Sequence, residues 1–310
     1  RRLNETVYHD FPGVMMIAEE SSAYPMVTKP VYLGGLGFGF KWNMGWMNDI
    51  LSYIKLDPLY RRWQHDKLTF SFFYAFSENY ILPFSHDEVV HGKLSMLDKN
   101  PGDLWQKFAG LRALYGYTMA HPGKKLLFMG SEFGQFIEWK SDDQLDWFLM
   151  VYERHPDLCR CVRELNHFYR DTPAMYEVDD SWEGFKWLAP DDRERSLLVF
   201  MRMDREGNTI LCMTNFTPAF YPQYRFGLPG PGVLREVFNS DLKAYGGSDQ
   251  FNAEPLNALS EPLGNLPYSV EVCVPPLSTV YFAFDREGGP GAGEEDAAAY
   301  HRVPAQEEED

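Results

Sequence analysis

Four short apolar runs, each breaking off into polar or charged residues, constrain this chain more than any other feature. Residues 14–18 (Val-Met-Met-Ile-Ala) run into Glu19, Glu20 and Ser21, and residues 36–40 (Leu-Gly-Phe-Gly-Phe) precede Trp42 and Asn43. Residues 80–84 (Tyr-Ile-Leu-Pro-Phe) precede Ser85, His86, Asp87 and Glu88, and residues 125–130 (Lys-Leu-Leu-Phe-Met-Gly) precede Ser131 and Glu132. A run this short and apolar throughout predicts a strand buried on both faces. Helical spacing fills the intervals. Residues 1–10 place Leu3, Val7 and Tyr8 at helical intervals and read as the end of a helix that starts earlier. A second stretch runs through Ile50, Tyr53 and Ile54. Residues 103–120 put Leu104, Phe108, Leu111, Tyr115 and Thr118 on one face and stop at His121-Pro122-Gly123; a last helix, opened by Pro156, carries Leu158, Val162, Leu165 and Tyr169. Buried strands alternating with helices predict a parallel α/β barrel, whose chemistry gathers at the strand C-termini. A complete barrel needs eight strands and roughly 250 residues, and only four strands fit before residue 150.

After about residue 176 the pattern changes. Residues 184–188, 196–201, 209–213 and 278–282 read as strands, with turn signals at residues 190–192 and 204–208. The expectation is an all-β antiparallel sandwich over residues 176–285, with a Gly-, Asn- and Pro-rich loop at 246–267. Residues 286–310 hold 8 acidic and 2 basic side chains and few large apolar ones, so a disordered acidic tail is expected there.

Charge narrows the partners. The net charge is −16, from 29 basic and 45 acidic residues. Nucleic acid is excluded as a partner, because phosphate neutralisation needs clustered Lys and Arg. No apolar run approaches a membrane span and no membrane partner is expected. The four cysteines are too scattered for a disulfide framework, and Cys159 and Cys161 fit helix packing better than a ligand pair. The chain therefore reads as soluble and cytoplasmic. A neutral ligand suits it, and 8 Trp, 18 Tyr and 23 Phe could offer flat faces to sugar rings, although core packing accounts for most aromatics equally well.

Glu19 and Asp87 each follow a buried strand, so in one barrel both would face the same pocket. Paired carboxylates there suit glycoside chemistry, one protonating the leaving oxygen and another acting on the oxocarbenium-like centre. The competing reading makes Glu19 and Glu20 a solvated strand end. His86 could bind sugar hydroxyls, or could form a hydrogen-bonded loop pair with His91. Trp42, Trp46 and Trp105 could stack on sugars or simply fill the core and rim. No spacing suggests a metal site.

These residues resemble a known family. Residues 16–21 (Met-Ile-Ala-Glu-Glu-Ser) look like the third signature region of the α-amylase superfamily, in the form used by glycogen branching enzymes. Residues 84–93 (Phe-Ser-His-Asp-Glu-Val-Val-His-Gly-Lys) look like the fourth. Residues 41–49 resemble that family's sixth-strand segment, residues 123–134 and 145–147 continue the match, and residues 268–284 resemble its last strands. The resemblance covers about residues 1–285. It implies the C-terminal half of a (β/α)8 (TIM) barrel over residues 1–175, followed by the sandwich. It implies an enzyme that cuts an α-1,4 link in a glucan and passes the chain to a 6-hydroxyl. Glu19 would be the general acid/base, Asp87 the transition-state carboxylate and His86 a sugar contact in the cleavage subsite, with no cofactor and no metal; Trp42 and Trp46 are kept beside them as substrate contacts on their aromatic character. The family's nucleophile is an Asp in an Arg-x-Asp motif at the fourth strand. No such motif precedes residue 14, so the polypeptide alone is expected to be inactive and to depend on a missing N-terminal half of the barrel. A hydrolytic relative and a non-catalytic glucan-binding fragment remain as alternatives.

Overall fold

The computed structural model describes residues 1–288. Four strands, β1 (Ile17–Ala18), β2 (Phe40–Trp42), β3 (Tyr80–Phe84) and β4 (Lys124–Leu127), form one sheet in chain order, and every pairing is parallel. The helices are α1 (Arg2–Asp10), α2 (Met44–Ile54), α3 (Pro58–Arg61), α4 (Asp66–Thr69), α5 (Leu104–Ala120) and α6 (Arg154–Asp171). Because the strands run the same way, the residues leaving their C-termini, Glu19, Asn43, Ser85 and Phe128, all emerge at one end of the sheet.

Three features depart from the expectation. Residues 14–18 are not a strand buried on both faces: only Ile17 and Ala18 pair, with Phe40 and Lys41. Val14, Met15 and Ile17 are 45%, 67% and 41% exposed. β1 is the edge of its sheet, so among the described residues its apolar run has one neighbouring strand instead of two. The second strand begins at Phe40, later than residue 36. Gly37 N donates to Lys29 O (3.0 Å) and Phe38 N to Val27 O (3.1 Å), folding residues 37–38 onto the preceding loop, and the φ of 78° at Gly37 is a conformation strands exclude. Finally, α5 is not one-sided. Asp103 opens it with a capping box, its carboxylate accepting from Gln106 N (2.8 Å) while Gln106 Oε1 accepts from Asp103 N (3.0 Å). From Phe108 to Ala120 every residue is then buried.

The reason lies in the second half of the chain. A six-stranded antiparallel sheet has the order β10-β9-β12-β7-β6-β5, built from β5 (Phe185–Asp192), β6 (Leu197–Met203), β7 (Thr209–Asn215), β9 (Gly232–Asn239), β10 (Leu256–Asn257) and β12 (Ser278–Arg286). β8 (Tyr221–Leu228) and β11 (Tyr268–Val274) pair separately and antiparallel. Strand β8 carries Pro222, Gln223 and Arg225, and β9 carries Arg235 and Glu236, so neither reads as an apolar run; both escaped the sequence analysis. The expected disordered tail lies, from residue 289 onward, outside the described residues.

The central strands bury both faces, and alternation sorts their side chains. Leu197, Val199, Met201, Leu211, Met213, Val280 and Phe282 pack with Phe226, Leu228, Val270 and Val272 of the two-stranded sheet. Leu198, Phe200, Cys212 and Tyr281 point the other way, into a core shared with Phe108, Leu111 and Tyr117 of α5 and with Phe84 of β3. The helix is thus enclosed between the parallel and antiparallel sheets. Side chains from the antiparallel sheet bond its carbonyls: Thr279 Oγ1 donates to Ala113 O (2.8 Å), Tyr281 OH to Gly116 O (2.5 Å) and Arg202 Nη1 to Ala120 O (2.7 Å). Gly116 is required by this approach, since a Cβ there would lie 2.6 Å from Thr279 Cβ.

Candidate functional site at the strand ends

Glu19 directly follows β1 and is exposed, and among the described residues its carboxylate has no hydrogen-bond or ion-pair partner. Its neighbour Glu20 is engaged in a local turn. Its Oε1 accepts from Ser22 N at 2.7 Å, and hydrogen bonding from Ser22, side chain then amide, holds this carboxyl below the usual range. A carboxyl so held stays ionised at neutral pH and is a poor proton donor. The turn is pinned again by Lys41, a buried β2 residue whose Nζ donates to Ser22 O (2.8 Å).

His86 and Asp87 lie in a 3-10 turn (His86–Val89) at the end of β3. His86 Nε2 is 3.2 Å from Asp87 Oδ1, and each side chain is about half exposed. The imidazole stands against two aromatic rings, Phe128 at 5.9 Å and Trp139 at 6.0 Å between centroids. One strand, β2, separates the strand that delivers Glu19 from the strand that delivers Asp87. Two strand spacings are about 10 Å, so the backbones that deliver the two carboxylates stand about that far apart at one end of the sheet. His86 and His91 are not a pair: His86 meets Asp87, and His91 lies in a left-handed turn (φ 57°) on the side of Glu138.

Trp42 closes β2 and is half-buried. Trp46 does not face this space. It is 1% exposed, packed between Phe84 at 5.2 Å and His121 at 5.7 Å. Its position on the first turn of α2, where Asn43 Oδ1 accepts from Trp46 N (2.9 Å), turns the ring into the core, so the expected sugar contact is withdrawn for Trp46.

The residues that shape the loop after β3 were not anticipated. Lys99, 2% exposed, donates through Nζ to three carbonyls: Glu88 O (2.5 Å), Leu94 O (2.6 Å) and Lys93 O (2.8 Å). Burial pushes its amine down to about 8, which leaves it an ammonium at neutral pH. From the other side, Glu138 accepts from Leu94 N (2.7 Å) and Gly92 N (3.0 Å), and Trp139 N donates to Val89 O (2.9 Å). The hydrogen bonds from Gly92 and Leu94 hold the Glu138 carboxyl below its usual range. His91, Gly92 and Leu94 all adopt positive φ (57°, 79° and 69°), a strained path that these bonds stabilise. The signal for Lys99 and Glu138 was absent from local patterning, because each acts on backbone groups 5 to 46 residues away. Replacing Lys99 by Met should leave three carbonyls without donors. Amide exchange over residues 86–94 is expected to accelerate by roughly tenfold or more while β12 stays protected. Unchanged exchange in that loop would show that Glu138 alone maintains it.

Comparison with known proteins adds lineage to geometry. Residues 187–285 match the family described as alpha amylase, C-terminal all-beta domain. The 1,4-alpha-glucan branching enzyme GlgB of Halothermothrix orenii is 54% identical over 283 residues, covering 91% of this chain and 45% of that protein. The enzyme of the same name from Aquifex aeolicus is 54% identical over 282 residues, with the same coverage of each chain. The chain thus spans about half the length of the curated relatives it matches. Among solved structures, the crystal structure of alpha-amylase from H. orenii has a TM-score of 0.56 at 14% identity, covering 92% of this chain and 56% of that one, which establishes a likeness of fold.

Proposed function

We propose that this chain, 54% identical to 1,4-alpha-glucan branching enzymes over 91% of its length, supplies the acid/base half of a glucan-transfer site. Residues 1–175 are read as the later half of a (β/α)8 barrel and residues 176–285 as its sandwich domain. The parallel order β1-β2-β3-β4 and the exposed apolar edge at Val14, Met15 and Ile17 support a barrel completed by further strands.

In the proposed reaction, Glu19 gives its proton to the departing 4-oxygen as a carboxylate supplied from outside residues 1–310 attacks the anomeric carbon. The α-1,4 bond breaks and a glycosyl-enzyme forms. Glu19, now a carboxylate, takes the proton of an incoming 6-hydroxyl, whose oxygen displaces the enzyme carboxylate and creates the α-1,6 link. Asp87 faces the positive charge that develops at the anomeric carbon, while His86 and Trp42 hold the sugar. The reaction calls for no cofactor or metal. The net charge of −16 suits a neutral glucan and disfavours a polyanion. No helix among the described residues is long and apolar enough to cross a membrane, and four free thiols fit a cytoplasmic setting.

The observation that carries this reading is the delivery of Glu19 and Asp87 to the same end of one parallel sheet in a chain 54% identical to branching enzymes over 91% of its length. The test joins these residues to the remainder of the barrel and supplies linear α-1,4-glucan. New α-1,6 links without a matching rise in reducing ends are expected. Reducing ends alone would make the protein a hydrolase and overturn the reading.

A further inference from the structure

Away from the strand ends, a cavity of about 590 Å³ opens between α3, the start of α5 and the hairpin ends of the antiparallel sheet, and neither Glu19 nor Asp87 lines it. This volume falls within the roughly 300–1,000 Å³ of small-ligand clefts. One wall is aromatic: Tyr60 and Trp63 are each 59% exposed, with ring centroids 5.9 Å apart. The Arg62 guanidinium lies 4.1 Å from the Trp63 ring centroid and is itself held by Glu194 at 3.2 Å. The indole is therefore backed on one side while most of the residue stays open.

The wall is anchored from beneath. Arg61, 2% exposed, donates through Nη1 to Phe216 O (2.5 Å), through Nη2 to Ile54 O (2.7 Å) and through Nε to Leu56 O (3.2 Å). Burying a guanidinium is costly unless its donors are satisfied. Here each guanidinium nitrogen donates to a carbonyl, and the bonds tie the segment between Tyr60 and Trp63 to the end of α2 and to the residue that follows β7, so the aromatic platform is set before a ligand arrives. Asn100, also lining the cavity and 2% exposed, donates through Nδ2 to Met96 O (3.1 Å), while its Oδ1 has no partner.

We infer that this cavity binds a stretch of α-glucan remote from the reacting link. Sugar rings stack on Trp63 and Tyr60. Aromatic faces suit the apolar faces of sugar rings. Glu194 neutralises Arg62, so the wall exerts little net pull on an anion. The choice of an α-glucan rests on the branching-enzyme reading above. The site would hold a long chain near the enzyme and so favour extended donors over short ones.

The test uses the full-length enzyme in native gels containing soluble α-glucan or a soluble β-glucan. Trp63→Ala should weaken retardation by α-glucan roughly 5–10-fold, Trp63→Phe should restore most of it, and transfer from a short linear maltooligosaccharide should be unchanged. A Glu19→Gln variant should lose transfer and keep full retardation. If the wild type shows no transfer but Trp63→Ala still loses α-glucan retardation, the reaction reading fails and the binding site stands. Retardation of Trp63→Ala equal to the wild type, absence of wild-type retardation, or equal retardation by the β-glucan overturns the site.

Discussion

Glu19→Gln, in a protein that joins these residues to the rest of the barrel, is expected to lower transfer by about 10²–10⁴-fold while glucan binding persists. Gln keeps the length and hydrogen-bonding reach of Glu but cannot give a proton to the 4-oxygen or take one from the 6-hydroxyl. Glu20→Gln should be far milder, because Glu20 is already engaged with Ser22, its Oε1 accepting from Ser22 N at 2.7 Å. The comparison is read from initial rates of α-1,6 link formation beside binding to the same glucan. Equal damage from both substitutions would move the acid/base role off Glu19. Asp87→Asn should also be severe, since in the proposed reaction it removes the negative charge that faces the developing oxocarbenium ion.

The second large effect is on stability. Asp179 accepts from Arg202 Nη2 at 2.6 Å and from Lys124 Nζ at 2.9 Å, with Arg202 fully buried. Lys125 lies close by, its amine pushed down to about 7, first by burial. Burial alone would raise the Asp179 carboxyl, but Arg202, Lys125 and Lys124 together bring it below the ordinary range. Asp179→Asn leaves these cations without their counter-charge and is expected to cost about 3–5 kcal/mol at neutral pH. The pH dependence follows from the lowered value. The Asp179 contribution is fully present above the carboxylate's unfolded pKa and is lost as pH falls through its folded one. Urea unfolding at a series of pH values should therefore show acid-side destabilisation in the wild type that is reduced in Asp179→Asn. An unchanged midpoint at pH 7 would mean that solvent already compensates the cluster.

Much of the architecture was legible because it rests on local periodicity. Strand β3 spans Tyr80–Phe84 as its apolar run implied, and α5 starts after Asp103 and ends before His121-Pro122-Gly123, where the capping box and the Pro-Gly stop place it. The site was legible in part. Glu19, His86 and Asp87 stand at strand ends because the polar residues that break each run must leave the sheet there. Trp46 was misread, since the same aromatic type serves ligand and core alike, and only the cap at Asn43 and the rings of Phe84 and His121 decide which.

What the sequence determined by itself is therefore much of the element set and the residue types at its ends: short parallel strands, the helices between them, an antiparallel second half, and carboxylates where strands stop. Only the tertiary structure decided which faces are covered. It left Ile17 on an edge strand, and Val14 and Met15 before it, exposed, and it buried α5 from Phe108 to Ala120 on every side. It gave Lys99 and Glu138 the task of shaping the loop that carries Asp87. The physical reason is one of range. Periodicity and capping act within a few residues, whereas burial of a second face and satisfaction of a backbone carbonyl depend on partners that only the folded chain brings near.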